Sequence, residues 1–224
     1  MLTVGAGGSD TRATARELAA LGRQGAADAA LVPVPAFTRP SAAGVRAHFE
    51  RLAGSSPLPL IVYHVPYRTA RPLGAADLRA IGALPAVRGV KLATGAIDQE
   101  VVDLLGAPPP DFAVLAGDDV LLSPMLALGA AGGILASANL AAAPFVELVG
   151  AWRRGEGGLE RARALGGALA RLSAAAFAEP NPAVIKGVLQ ARGRIPTAEV
   201  RLPLLAVRRE SVAKALKLLA EWGW

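Results

Sequence analysis

Val87-Arg88-Gly89-Val90-Lys91-Leu92-Ala93-Thr94-Gly95 places a lone lysine inside an apolar run. The chain carries 24 Lys+Arg, yet only four are lysines (Lys91, Lys186, Lys214 and Lys217), so wherever any cation suffices the sequence uses arginine. An amine differs from a guanidinium in that it can lose its proton. Burial disfavours the charged form and turns the amine into a nucleophile toward carbonyls, whereas arginine cannot form a Schiff base. The plainer alternative is a lysine that snorkels from the end of a strand.

Around this stretch the chain alternates regularly. Strand patterns cover Leu2–Ala6, Ala29–Pro35, Leu58–Val65, Val87–Ala93, Phe112–Ala116 and Gly133–Ser137. Helical patterns lie between them, and each strand is apolar throughout, as expected of a parallel sheet covered on both faces. Beyond Ser137 only helices are expected, over Ala142–Arg153, Leu159–Phe177, Pro182–Arg192 and Arg209–Glu221. Residues 1–153 are therefore expected to form the α/β part and 154–224 a helical extension. An open doubly wound sheet and a (β/α)8 barrel can both host six such strands. The polar candidates favour the barrel: Tyr63 and His64, Lys91, Gly117-Asp118-Asp119 and Asn139 all stand at or just past C-terminal strand ends, where barrels assemble their sites.

Composition narrows the function classes. The 224 residues are 53% hydrophobic but only 4% aromatic, and no stretch approaches the roughly 20 apolar residues that span a bilayer. Met1 runs directly into Leu-Thr-Val without a signal-peptide pattern, so neither a membrane nor export is expected and a cytoplasmic location follows by default. Zero cysteines exclude disulfides, a thiolate nucleophile and a zinc ribbon. The net charge of +6 would permit nucleic-acid binding, but dispersed arginines with few aromatics among them read as a solvated basic surface. Gly5-Ala6-Gly7-Gly8 lacks the third glycine and the distal acidic residue of a dinucleotide fingerprint. With only His48 and His64 in the chain, Asp118 and Asp119 are expected to cap the following helix rather than hold a metal.

Several motifs, taken in order, resemble the dihydrodipicolinate synthase and N-acetylneuraminate lyase family of class I pyruvate aldolases. They are Leu60-Ile61-Val62-Tyr63-His64-Val65-Pro66, Gly89-Val90-Lys91-Leu92-Ala93-Thr94-Gly95, Phe112 through Asp119, Gly132-Gly133-Ile134 and Glu179-Pro180-Asn181-Pro182. Pro66-Tyr67-Arg68-Thr69 looks most like the dihydrodipicolinate synthase branch. The resemblance implies a (β/α)8 barrel with a C-terminal helical extension, in which Lys91 forms an imine with pyruvate and Tyr63 shuttles protons. It further implies that Arg68 receives the carboxylate of an aldehyde such as aspartate semialdehyde, and that Gly117 and the Ile134 carbonyl line the pocket. Asn181 marks a more distant landmark. No cofactor beyond the covalent imine is implied. The partners it implies are small-molecule substrates and further copies of the chain in a homotetramer.

The sequence departs from the family pattern at four places. Phe37 stands where a tyrosine hydroxyl relays protons, Leu92 where glutamate is frequent, and His64 where asparagine or aspartate is usual; the last two are expected to alter specificity. The first two βα units, with the Gly-Thr-Thr-Gly-Glu loop that holds the pyruvate carboxylate, have no counterpart here. Six of eight strands are thus expected, with about 70 residues of a barrel ahead of Met1.

Overall fold

A computed structural model describes residues 1–224. The order of elements is β1 (Thr3–Gly5), α1 (Thr11–Gln24), β2 (Ala29–Pro33), α2 (Ala42–Ala53), β3 (Leu60–His64), α3 (Pro66–Thr69), α4 (Ala75–Gly82), β4 (Val87–Leu92), α5 (Gln99–Gly106), β5 (Ala113–Ala116), α6 (Leu122–Ala127) and β6 (Gly132–Gly133). Four helices follow: α7 (Ala142–Arg153), α8 (Leu159–Ala176), α9 (Ala183–Ala191) and α10 (Arg209–Glu221). No helix is long and apolar enough to cross a membrane.

The chain divides into two compact units, one of residues 1–118 with 128–133 and one of 119–127 with 134–224.

The first unit holds all six strands. They are parallel and lie in the order β1-β2-β3-β4-β5-β6, each strand beside its neighbour in sequence. A doubly wound sheet reverses its strand order at a switch point, whereas a (β/α) barrel does not, so the consecutive order is that of barrel strands. Local chemistry starts the helices. Asp10 accepts from the Ala13 N–H at 2.6 Å to cap α1, and Ser41 accepts from the Gly44 N–H at 3.1 Å to cap α2. Gly25, at φ +65°, closes α1 in the left-handed region that a Cβ disfavours.

The two faces of the sheet differ. Val32, Val62, Val90, Val114 and Ala116 are buried, while Leu31, Pro33, Tyr63, Lys91 and Leu115 on the alternate face are only half-buried. The apolar strands therefore bury one face completely and the other in part. Two strand expectations need correction. β6 is two residues long rather than five, and Ser137–Asn139 forms a 3-10 turn. The cause is a contact distant in sequence: the Ser137 N–H donates to Asp119 Oδ2 at 2.5 Å and so is withdrawn from any strand ladder. α3 was not expected, and Pro66 at its first position provides the pre-set φ that starts it.

The second unit is helical. Gly166 of α8 lies so close to Ser123 that an added Cβ would meet the Ser123 Cβ at 2.7 Å, and Trp152 Nε1 donates to Ser123 Oγ at 3.1 Å. Arg161 and Glu147 join α8 to α7 through a two-pronged pair at 2.6 and 3.0 Å. That pair is solvent-exposed, so the buried face of Leu165, Leu169 and Leu172 contributes far more to holding the unit together.

In the first unit Gly89 is the tightest position of the sheet, because a Cβ there would fall inside contact distance of the Ala113 carbonyl oxygen across β4 and β5. Gly89→Ala is expected to lower stability by about 2 kcal/mol or more, read as a fall in the denaturation midpoint without a change in m-value.

Candidate active site

The site is set by the way β3 and β4 pair. Leu60 lies opposite Val87, but Ile61 lies opposite Gly89, so the register slips by one and passes over Arg88. Beyond the slip, Tyr63 stands opposite Lys91 and both point to the same half-buried face. Lys91 Nζ lies 4.3 Å from the centroid of the Tyr63 ring. An amine held against a phenol supplies the two groups that imine chemistry needs, a nucleophile and a proton carrier.

Gly117 completes this corner. Its N–H donates to the Leu92 carbonyl at 2.6 Å, and a Cβ at this position would meet the Leu92 oxygen at 2.7 Å and Lys91 Cγ at 2.9 Å. The missing side chain is what leaves room for the stem of Lys91. Asp118 and Asp119 each hold a loop amide distant in sequence. Asp118 Oδ2 accepts from the Gly95 N–H at 2.7 Å and braces the loop after β4, while Asp119 accepts from Ser137. Each carboxylate thus holds loop backbone, a use that residue type alone could not reveal.

The other expected residues lie elsewhere. Arg68 is exposed on α3, with its guanidinium carbon 5.5 Å from the centroid of the Tyr67 ring. It shares a cavity of about 570 Å³ with Phe37 and Arg39, to which neither Lys91 nor Tyr63 contributes a wall. Phe37 is 96% exposed and held at φ +64°, so its ring projects into solvent. Ile134 directly follows β6 and belongs to the second unit, as does Asn181, whose Oδ1 is buried without a hydrogen-bond partner.

His64 and Leu92 were expected to alter specificity. As the residues after Tyr63 and Lys91 they face the opposite side of the sheet. His64 is buried, and desolvation lowers its pKa to about 4, opposed by the nearby Asp98 carboxylate.

Two consequences are measurable. Gly117→Ala is expected to displace the stem of Lys91 and slow any reaction of its amine by about tenfold or more, while the denaturation midpoint falls only modestly. His64 binds its proton more weakly in the folded chain than in the unfolded one. The unfolded state therefore takes up protons first, and stability is lost as the pH falls from about 6.5 to about 4, by about 3 kcal/mol in all. His64→Leu is expected to flatten that part of the stability profile; an unchanged slope in urea titrations across the window would contradict the assignment.

A profile of the Dihydrodipicolinate synthetase family matches residues 2–221. The chain is 38% identical over 222 residues to the 4-hydroxy-tetrahydrodipicolinate synthase of Nitratidesulfovibrio vulgaris (strain DSM 19637 / Miyazaki F), covering 98% of this chain and 74% of that protein. It is 36% identical over 222 residues to the enzyme of the same name from Moorella thermoacetica, covering 96% and 73%. Among solved structures, dihydrodipicolinate synthase from Thermotoga maritima superposes with a TM-score of 0.90 at 30% identity, covering 99% of this chain and 75% of that one. Dihydrodipicolinate synthase from Cyanidioschyzon merolae with lysine bound superposes with a TM-score of 0.89 at 26% identity, covering 99% and 74%. With the barrel strand order and the Lys91–Tyr63 pair already in place, these matches are decisive: the chain belongs to the dihydrodipicolinate synthetase family.

Proposed function

We propose that the protein is a Schiff-base-forming, pyruvate-dependent lyase of the 4-hydroxy-tetrahydrodipicolinate synthase type. The observation that supports it most directly is the placement of Lys91 Nζ 4.3 Å from the Tyr63 ring centroid on the next strand. The unprotonated Lys91 amine attacks the ketone carbon of pyruvate, and loss of water gives an imine. The imine acidifies the methyl group, and removal of one of its protons leaves an enamine. The enamine carbon then attacks the aldehyde carbon of aspartate semialdehyde, whose oxygen takes up a proton, and the amino group of that substrate displaces the Lys91 nitrogen from the imine carbon, which closes the ring and frees the lysine. Tyr63 gives and takes the proton at each step, because its phenol is the titratable group set against the amine. No cofactor enters the scheme, since the covalent bond to Lys91 replaces one.

Arg68 receives the carboxylate of the aldehyde through its planar pair of donors. Its position on a surface helix, outside the Lys91 corner, is consistent with a role toward the second substrate rather than pyruvate. Phe37 offers no hydroxyl, so proton traffic depends on Tyr63 without help from that position. We further propose a cytoplasmic enzyme that assembles as a homotetramer. One structural relative is described as a monomeric dihydrodipicolinate synthase variant, which makes sedimentation the appropriate check of assembly.

Borohydride reduction with pyruvate present is expected to fix one pyruvyl adduct on Lys91, identified by peptide mass. Lys91→Arg should abolish the adduct and Tyr63→Phe should slow turnover by about a hundredfold or more. Arg68→Ala should raise KM for the aldehyde while leaving adduct formation unchanged. A wild-type protein that gives no adduct, or one labelled at Lys186, Lys214 or Lys217 instead, would sink the proposal.

A further inference from the structure

His64 and Leu92 reach a cavity of about 340 Å³ on the face of the sheet turned away from Lys91, under α4 and α5. Its inner walls are apolar, built from Leu92 of β4, Leu78 of α4 and Leu104 of α5. His64 closes the floor. The residue is 1% exposed, and its Nδ1 is buried with no hydrogen-bond partner. A buried ring nitrogen left unpaired costs the free energy of desolvation unless something in the cavity satisfies it. Because burial keeps the ring neutral near pH 7, one of its nitrogens is an acceptor.

The mouth has the opposite character. Asp98 and Glu100 line it, each with one carboxylate oxygen already in use: Asp98 Oδ1 accepts from the Val101 N–H at 3.0 Å and Glu100 Oε2 from the Ala75 N–H at 2.6 Å. Neither takes part in an ion pair. In a chain of net charge +6, two carboxylates outside any ion pair at the rim of one apolar cavity make a local cation-attracting field, which the nearby Arg79 offsets in part at Glu100. Apolar walls, a deep acceptor and an acidic mouth define an amphiphilic cation.

We propose that this cavity binds a small organic ammonium ion, with its apolar body against Leu78, Leu92 and Leu104 and its N–H groups directed to His64, Asp98 and Glu100. An amino acid fits poorly, because its own carboxylate would face the two acidic side chains. The site is independent of the lyase chemistry, although an occupant presses on β3 and β4 one residue from Tyr63 and Lys91.

The probe is benzylammonium, with benzyl alcohol as the neutral isostere and L-phenylalanine as the carboxylate-bearing control. The chain has only two histidines, so the ring resonances of His64 can be followed with His48 as an internal reference. Benzylammonium is expected to shift His64 saturably and leave His48 in place, with the alcohol and the amino acid weaker by about tenfold. Asp98→Asn and Glu100→Gln keep the backbone caps and remove the charge, and each is expected to weaken benzylammonium about fivefold without affecting the alcohol. The proposal is overturned if His64 shows no saturable shift, if the alcohol or the amino acid binds as well as the amine, or if neither substitution changes amine binding. The comparison of ligands on the unsubstituted chain requires no variant to fold.

Discussion

Everything at the candidate site depends on one backbone registration, the slip between β3 and β4 that passes over Arg88 and sets Tyr63 opposite Lys91. A strand alternates its side chains with a period of two, so a pairing shifted by one residue would bring Val90 opposite Tyr63 and turn Lys91 toward the helices. The slip is backed by close packing on the other side of β4. Gly89 and Gly117 lie where added Cβ atoms would strike the Ala113 and Leu92 carbonyls, so β5 and the loop after it approach β4 closely. Glycine is needed at both positions because of that approach. The amine is consequently presented by a strand whose neighbours leave it little freedom to move.

Much of this was legible in the sequence. Apolar runs marked the strands, and α7 and α10 begin and end at the residues their periodicity indicates. What the sequence hid was tertiary in origin. The strand expected at Gly133–Ser137 stops after two residues because a carboxylate 18 positions earlier takes the Ser137 N–H. Asp118 and Asp119 read as caps from their place before a helix, and nothing in the sequence signalled that each also holds a backbone amide distant along the chain. His64 and Leu92 looked like modifiers of the site because they adjoin Tyr63 and Lys91. The pleat sends them to the other face, and adjacency in sequence there means opposition in space.

The two faces of the sheet consequently carry different chemistry. On one, a lysine and a tyrosine meet on adjacent strands, with Arg68 and Phe37 gathered at a separate cavity between the loops. On the other, a neutral histidine lies at the bottom of an apolar cavity rimmed by carboxylates.

The most direct test of the central claim is a crystal structure of the protein soaked with pyruvate. The account predicts continuous density from Lys91 Nζ to the former ketone carbon, with the Tyr63 hydroxyl within hydrogen-bonding reach of the adduct. An unmodified Lys91 with pyruvate bound elsewhere, or density joined to another lysine, would contradict it.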